Sequence, residues 1–336
     1  MSKKENAVAS NPLRKKSKIS YAKYGYFFVL PFVIAWLIFS LYPTVYTAII
    51  GFTDMHGAGV KSWHFLEHPF ENFKEILLNN KLFMTSVKNT FVIWIGNFIP
   101  QLALALLLAA WFTDRRMKIP GAGAFKVLFY MPNIITAATV AILFNALFGY
   151  PMGPMNDLLT SLGFIKEPVN FLISKTITRN IVIFIQTWMW YGYTMIILIS
   201  GVLGISPDIF EAAEIDGASG WQVFWKITIP NIKTILLFTL VTSLIGGLTM
   251  FDIPQLFMLG GPDNATITAN VFIYRQAFSG LYWYNRAGAA SLIMFVVIVI
   301  ISAFMFFMMR DRDEAALKKL KKQELKAAKK AAKEAK

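Results

Sequence analysis

Side chains able to make or break bonds are scarce in this 336-residue chain, and their spacing supports no catalytic constellation. Cysteine is absent, so disulfides, thiol nucleophiles and thiolate metal sites are all excluded. The three histidines, His56, His64 and His68, share one short polar segment and read as loop residues rather than metal ligands. An ATP-hydrolysing phosphate loop needs Gly-x-x-x-x-Gly-Lys-Ser/Thr, and the chain contains no Gly-Lys pair. No Ser/His/Asp pattern is visible either. What remains is a handful of polar groups in apolar surroundings. Asn97 and Gln101 stand four apart and so share a helix face, while Gln186 and Asp252 are isolated. Carboxamides in such places either tie neighbouring helices together or meet a polar solute. The chemistry on offer is recognition, not reaction.

These groups sit in a chain that is 56% hydrophobic and 15% charged, with a mean hydropathy of +0.52. A soluble domain carries about 25% charged residues. Six runs account for the deficit: Tyr24–Ile50, Thr90–Phe112, Val127–Gly149, Ile181–Gly204, Thr234–Phe251 and Ala287–Met309. A bilayer core about 30 Å thick takes about 20 helical residues to cross, and these runs are of that order, the fifth being short. A lone strand in lipid would leave its backbone unpaired, so each run is expected to be helical. The first is too long for a cleaved signal peptide. The fold class is therefore all-α integral membrane with six transmembrane helices.

Orientation follows from the basic residues. With the N-terminus inside, 24 of the 33 Lys and Arg fall on the cytoplasmic side and nine on the other. The short connection Thr113–Lys126 is the clearest local vote, because short loops count most. Both termini are expected to be cytoplasmic, and the net charge of +14 is a positive-inside signature rather than a nucleic-acid surface. This divides the chain into a basic cytoplasmic tail (1–23), a first transmembrane helix (24–50), an extracytoplasmic loop (51–85), a transmembrane domain (86–309) and a second basic tail (310–336). The last suits anionic lipid headgroups.

One cytoplasmic loop, 205–231, has a definite local design. Ser206 suits an N-cap, Pro207 the first helical position and Asp208 the positive helix end. Helical propensity runs to Asp216, and Gly217 is a natural stop. A helix of two to three turns is marginal alone in water and needs something to dock into.

Glu211-Ala212-Ala213, Asp216-Gly217, Ile227 and Pro230 together resemble the EAA motif of binding-protein-dependent ABC import permeases, with Ile229 in place of the usual Leu. Further segments, among them Phe129–Asn133, Thr187–Gly201, Phe251-Asp252, Gly260–Pro262 and Tyr274–Phe278, resemble the carbohydrate-type permeases of the maltose and glycerol-3-phosphate group. The resemblance covers roughly residues 86–309. It implies the type I ABC importer permease fold and a transporter subunit of the cell membrane rather than an enzyme. It implies coupling through the 206–230 loop and cargo of carbohydrate class, an oligosaccharide by expectation. The implied partners are a second homologous permease, two ATPase subunits that bind the ATP and magnesium, and an extracytoplasmic sugar-binding protein. The implied substrate path passes Asn133, Ala137, Gln186, Trp188, Tyr193, Gly247, Met250 and Asp252, and the glycines 246 and 247 suggest a wide path. A secondary transporter is the alternative from a different class, but it needs ionisable groups within the membrane that these spans nearly lack. A permease of the same superfamily for a non-sugar solute is the nearer one.

Overall fold

Backbone amides in hydrocarbon need partners within their own segment, which makes the helix the self-sufficient state for each span. The computed structural model describes residues 22–309 apart from Arg115 and Lys118, and among them one isolated bridge, Thr53 to Phe65, is the only extended pairing. The tail 310–336, and the tail 1–23 but for its last two residues, lie outside the described residues. Five helices are long and apolar enough to cross a bilayer: Lys23–Ile50, Lys81–Thr113, Lys175–Leu203, Lys233–Met258 and Tyr284–Met308. A bent pair supplies the sixth.

The described residues fall into two compact units that divide between residues 47 and 48. In the first, α1 (Ala22–Trp36) contains Pro31, and a wider π-type turn, Leu37–Leu41, joins it to the start of α2 (Tyr42–Ile50), whose last three residues fall in the second. In the second, α3 (Glu71–Lys74) precedes α4 (Lys81–Thr113), so the segment 51–85 is not a plain connecting loop. Asn80 caps α4 by accepting from the Phe83 amide at 3.0 Å. The buried Asn72 donates to the carbonyls of Gly51 and Thr53, both at 2.9 Å, and accepts from Asn285 at 3.1 Å. Those bonds pin the segment to the first turn of α15 (Tyr284–Met309). The histidines are more ordered than loop residues need be. His56 stacks on Trp283 with ring centroids 5.1 Å apart, and Asp54 accepts from the His64 amide at 2.7 Å. His64-Phe65-Leu66-Glu67-His68 has a spacing that would suit zinc on a helix, but the segment is not helical.

The spine of the larger unit is α4 against α8 (Lys175–Leu203), running in the same direction. Ile93 packs with Val182 and Ile185 near one end, and Leu108 with Leu198 and Val202 near the other. Lipid tails are as apolar as leucine, so burial alone does little to pair helices in a membrane; close approach and hydrogen bonds do. A Cβ at Gly96 would lie 2.8 Å from Cδ1 of Ile183, and Gln101 donates to the Thr194 hydroxyl at 2.7 Å. The Thr187 hydroxyl adds a 3.3 Å bond to the Asn97 carbonyl.

The third span departs from the expected single helix over Val127–Gly149. It breaks into α5 (Ala122–Ile134) and α6 (Ala137–Leu147), bent by 91°. Pro132 can donate no amide to the turn before it. Ile135 and Thr136 are extended, and the Thr136 hydroxyl accepts from the Thr139 amide at 3.3 Å, which starts a new helix. Next come α7 (Pro154–Ser161) and, beyond α8, the short helices α9 (Pro207–Ile215), α10 (Gly220–Gln222) and α11 (Ile229–Asn231). The fifth span is α12 (Lys233–Leu248), and after a three-residue break α13 (Asp252–Met258) packs on α6. α14 (Ala269–Phe278) and α12 pack on α15.

Between α13 and α14 the backbone has positive φ at Leu259, Asp263 and Asn264, and two arginines hold it there. Arg179 donates to the Ala265 carbonyl at 2.9 Å and to Asn89 Oδ1 at 3.1 Å. Arg275 donates to Asn264 Oδ1 at 3.2 Å and to the Leu259 carbonyl. Asn89 closes the set by donating to the carbonyls of Asn264 (2.8 Å) and Ile267 (3.2 Å). Hydrogen bonds from charged donors contribute about 1.5–3 kcal/mol each. Arg179→Met is therefore expected to lower the thermal midpoint of the detergent-purified protein by several degrees, and an unchanged midpoint would show that the loop holds itself. At Gly192 a Cβ would overlap the Phe129 carbonyl where α5 crosses α8. Gly192→Val is expected to cost about 1–3 kcal/mol through overpacking, read as loss of monodisperse protein on gel filtration; a Gly192→Val protein that stays monodisperse would refute the tight crossing.

Candidate functional site

The loop that follows α8 folds as its residues dictate, with one exception. Ser206 occupies the N-cap position, but its hydroxyl donates to the Asp208 carboxylate at 3.3 Å instead of receiving a backbone amide. Pro207 takes the first helical position of α9. At the other end Gly217 adopts φ +72°, the left-handed conformation that lets the chain turn without strain. The Gly217 amide then donates to Glu214 (3.1 Å) and the Ala218 amide to Ala213 (2.9 Å), closing a Schellman stop.

The helix has two faces. Ala213 is buried, and Phe210 packs into the apolar cluster of Ala105, Leu108, Met195, Ile199 and Ile232. Glu211, Ala212, Asp216 and Gly217 are exposed, and so is Ile215, whose side chain is 87% accessible. The helix expected to be marginal alone is thus held on one side by its own chain, and the other side leaves an apolar residue exposed. Downstream, Ser219 and Gln222 form a reciprocal capping box at 3.3 and 2.8 Å. A π-type turn, Val223–Thr228, leaves Ile227 half-buried, and Pro230 lies in the first turn of α11.

A cavity of about 470 Å³ lies between this loop and the ends of α4 and α8, bordered by Trp111, Asp114, Arg116, Phe210 and Trp221. Burial works against ionisation of Asp114, but the backbone amide and guanidinium of Arg116 outweigh it and hold the carboxyl below the ordinary carboxylate range. The Asp114 pairing holds Arg116 above its ordinary value.

A second cavity, about 440 Å³, opens among the helices on the far side of that cluster. Of the residues expected on a solute path, Ala137, Gln186, Tyr193, Gly247, Met250 and Asp252 line it together. Two do not. Trp188 packs edge-on against Phe144 of α6 with centroids 5.6 Å apart, and Asn133 stays on the last turn of α5. The two glycines differ: no described atom lies within 4 Å of a Cβ at Gly246, which leaves open space, but Gly247 is occupied. The Trp94 indole lies against the bare Cα of Gly247 and donates to the Ser243 hydroxyl at 3.3 Å, filling the space that glycine leaves.

Asn97 and Gln101 line this cavity too; the Gln101 amide also ties α4 to Thr194 of α8, and the Asn97 amide donates to the Ile93 carbonyl of its own helix at 3.1 Å. Trp190, Thr194 and Phe251 complete its polar and aromatic wall, and Thr239, Thr242 and Ser243 bring hydroxyls from α12. That last group recurs at three- and four-residue spacing in an otherwise apolar span, a pattern legible in the sequence. Thr239 and Thr242 donate to their own helix carbonyls at 2.8 Å, which leaves hydroxyl lone pairs to accept from a solute. No group of three His, Asp or Glu among the described residues could hold a metal. The wall can stack on flat apolar faces and exchange hydrogen bonds, and it offers no nucleophile beside a base.

Residues 89–312 match the family described as binding-protein-dependent transport system inner membrane component. A lactose transport system permease protein of Rhizobium radiobacter is 29% identical over 285 residues, covering 84% of this chain and 92% of the relative. A multiple sugar-binding transport system permease protein of Streptococcus mutans is 28% identical over 281 residues, covering 83% and 92%. Among solved structures, a bacterial ABC transporter involved in import of the acidic polysaccharide alginate superposes with a TM-score of 0.72 at 25% identity, over 86% of this chain and 95% of that one. With two thirds of its length matched and the helices arranged as in a solved importer, this chain belongs to the binding-protein-dependent transport system inner membrane component family, as a multi-pass membrane permease.

Proposed function

We propose that this permease is the membrane-spanning subunit of an ATP-driven carbohydrate importer, with both termini in the cytoplasm, α9 as its coupling helix and the central cavity as its share of the solute path. A second permease completes that path. Two ATPase subunits bind ATP and magnesium beneath it, and an extracytoplasmic binding protein delivers an oligosaccharide from above. The transport functions of the lactose and multiple-sugar relatives support the cargo class. A structure of the alginate importer was solved with its loaded periplasmic protein, which supports the delivery step.

The observation that carries the reading is the two-faced α9. Its inner face buries Ala213 and is keyed by Phe210 into a cluster that also contains the ends of α4 and α8 and the residue before α12. A displacement of α9 therefore moves three spans at once. Its outer face, with Ala212, Ile215 and Gly217, leaves room for a groove on a partner to approach the backbone, and Glu211 supplies a charged handle. Closed cores are bistable rather than continuously deformable, so a push on α9 is transmitted as a rigid-body shift. Ile227 and Pro230 set the geometry with which the loop enters α12.

Gly217→Asp and Glu211→Lys test the coupling assignment. None of the described residues comes within 4 Å of a Cβ at Gly217, so a defect there reports on φ or on a partner. Both variants are expected to reach the membrane at wild-type levels, to lose ATPase subunits on co-purification and to take up solute at less than a tenth of the normal rate. Retained co-purification in both would show that α9 is not the docking element.

A further inference from the structure

We propose that the central cavity selects uncharged saccharides, with the Asp252 carboxylate as the specificity-determining group that excludes acidic ones. The inference rests on the reading of that cavity as the solute path. Asp252 is the only charged side chain among the described residues lining it. The rest of the wall is uncharged: aromatic, carboxamide, hydroxyl and aliphatic. Rings such as Trp190, Tyr193 and Phe251 suit the C–H faces of a pyranose, and Asn97 and Gln186 suit its hydroxyls. Nothing in that wall suits a carboxylate.

A uronic acid unit moving into this space would lose hydration, which costs heavily unless a cation replaces the water. Three cations at this end of the unit are already engaged. Arg179 and Arg275 are held by the 259–267 loop, and Lys175 pairs with Asp263 at 3.0 Å. None of the three lines the cavity. The uronate would instead meet Asp252, whose exposed side chain repels a like charge. The fold itself does not exclude acidic cargo, since a structure of the same fold imports an acidic polysaccharide. The filter must then lie in side chains, and Asp252 is the one whose charge has the right sign.

The test uses the complete importer in nanodiscs, with tryptophan fluorescence titrated against maltotriose, raffinose, trigalacturonate and the methyl ester of trigalacturonate at fixed ionic strength. The ester keeps the skeleton and removes the charge. The expected result is a saturable response to neutral ligands that Trp190→Phe diminishes, with trigalacturonate at least tenfold weaker than its ester. In Asp252→Asn the ratio between acid and ester is expected to fall to within about threefold. Equal binding of acid and ester to the wild type, or a ratio untouched by Asp252→Asn, would overturn the charge filter and leave the path intact. No response to any of the four would overturn the path assignment and the filter with it.

Discussion

The packing of α4 against α8 is the contact on which the rest of the molecule depends. Apolar side chains gain little by leaving lipid for protein, so this pair is held by what lipid cannot offer. Gly96 lets Ile183 approach the backbone, and Gln101 reaches across to Thr194. α5 crosses the same helix where Gly192 leaves room for the Phe129 carbonyl. Bonds of this kind fix register as well as affinity, because a buried amide has few partners in hydrocarbon.

Both functional regions are built on that spine. Toward one end, the closing turns of α4 and α8 receive Phe210 of α9. Midway along, the same two helices carry the amides and aromatic rings of the central cavity. A movement of α9 is thereby connected to the cavity through rigid elements rather than through a flexible loop. The double role of Gln101, tie and wall, makes that connection direct: a shift of α8 relative to α4 alters the cavity and strains the bond together.

The break in the third span serves the same arrangement. A straight helix over 127–149 would carry Ala137 onward along the membrane normal. The turn at Ile135 and Thr136 instead directs α6 across the bundle, where it packs against α13 and brings Ala137 to the cavity. The arginine-held loop at 259–267 fixes the far end of α13 in the same region, and α13 begins with Asp252. The carboxylate is thus positioned from both sides, by the packing of α6 and by the loop.

The sequence by itself determined what depends on local composition. Charge-free length established the spans, because the cost of an unsatisfied amide in lipid does not depend on neighbours. The run Ser206–Pro230 specified a capped helix with a left-handed stop at Gly217, since caps and φ preferences act within a few residues. Tertiary structure alone decided which side chains share a space. Gly247 read as an opening until Trp94, 153 positions earlier in the chain, was seen to fill it, and Trp188 read as a wall residue until Phe144 claimed its ring. Ser206 likewise kept its position and changed its bond. In a bundle whose helices are apolar on every side, periodicity names no inward face; only the pairing of α4 with α8, and what packs around them, does.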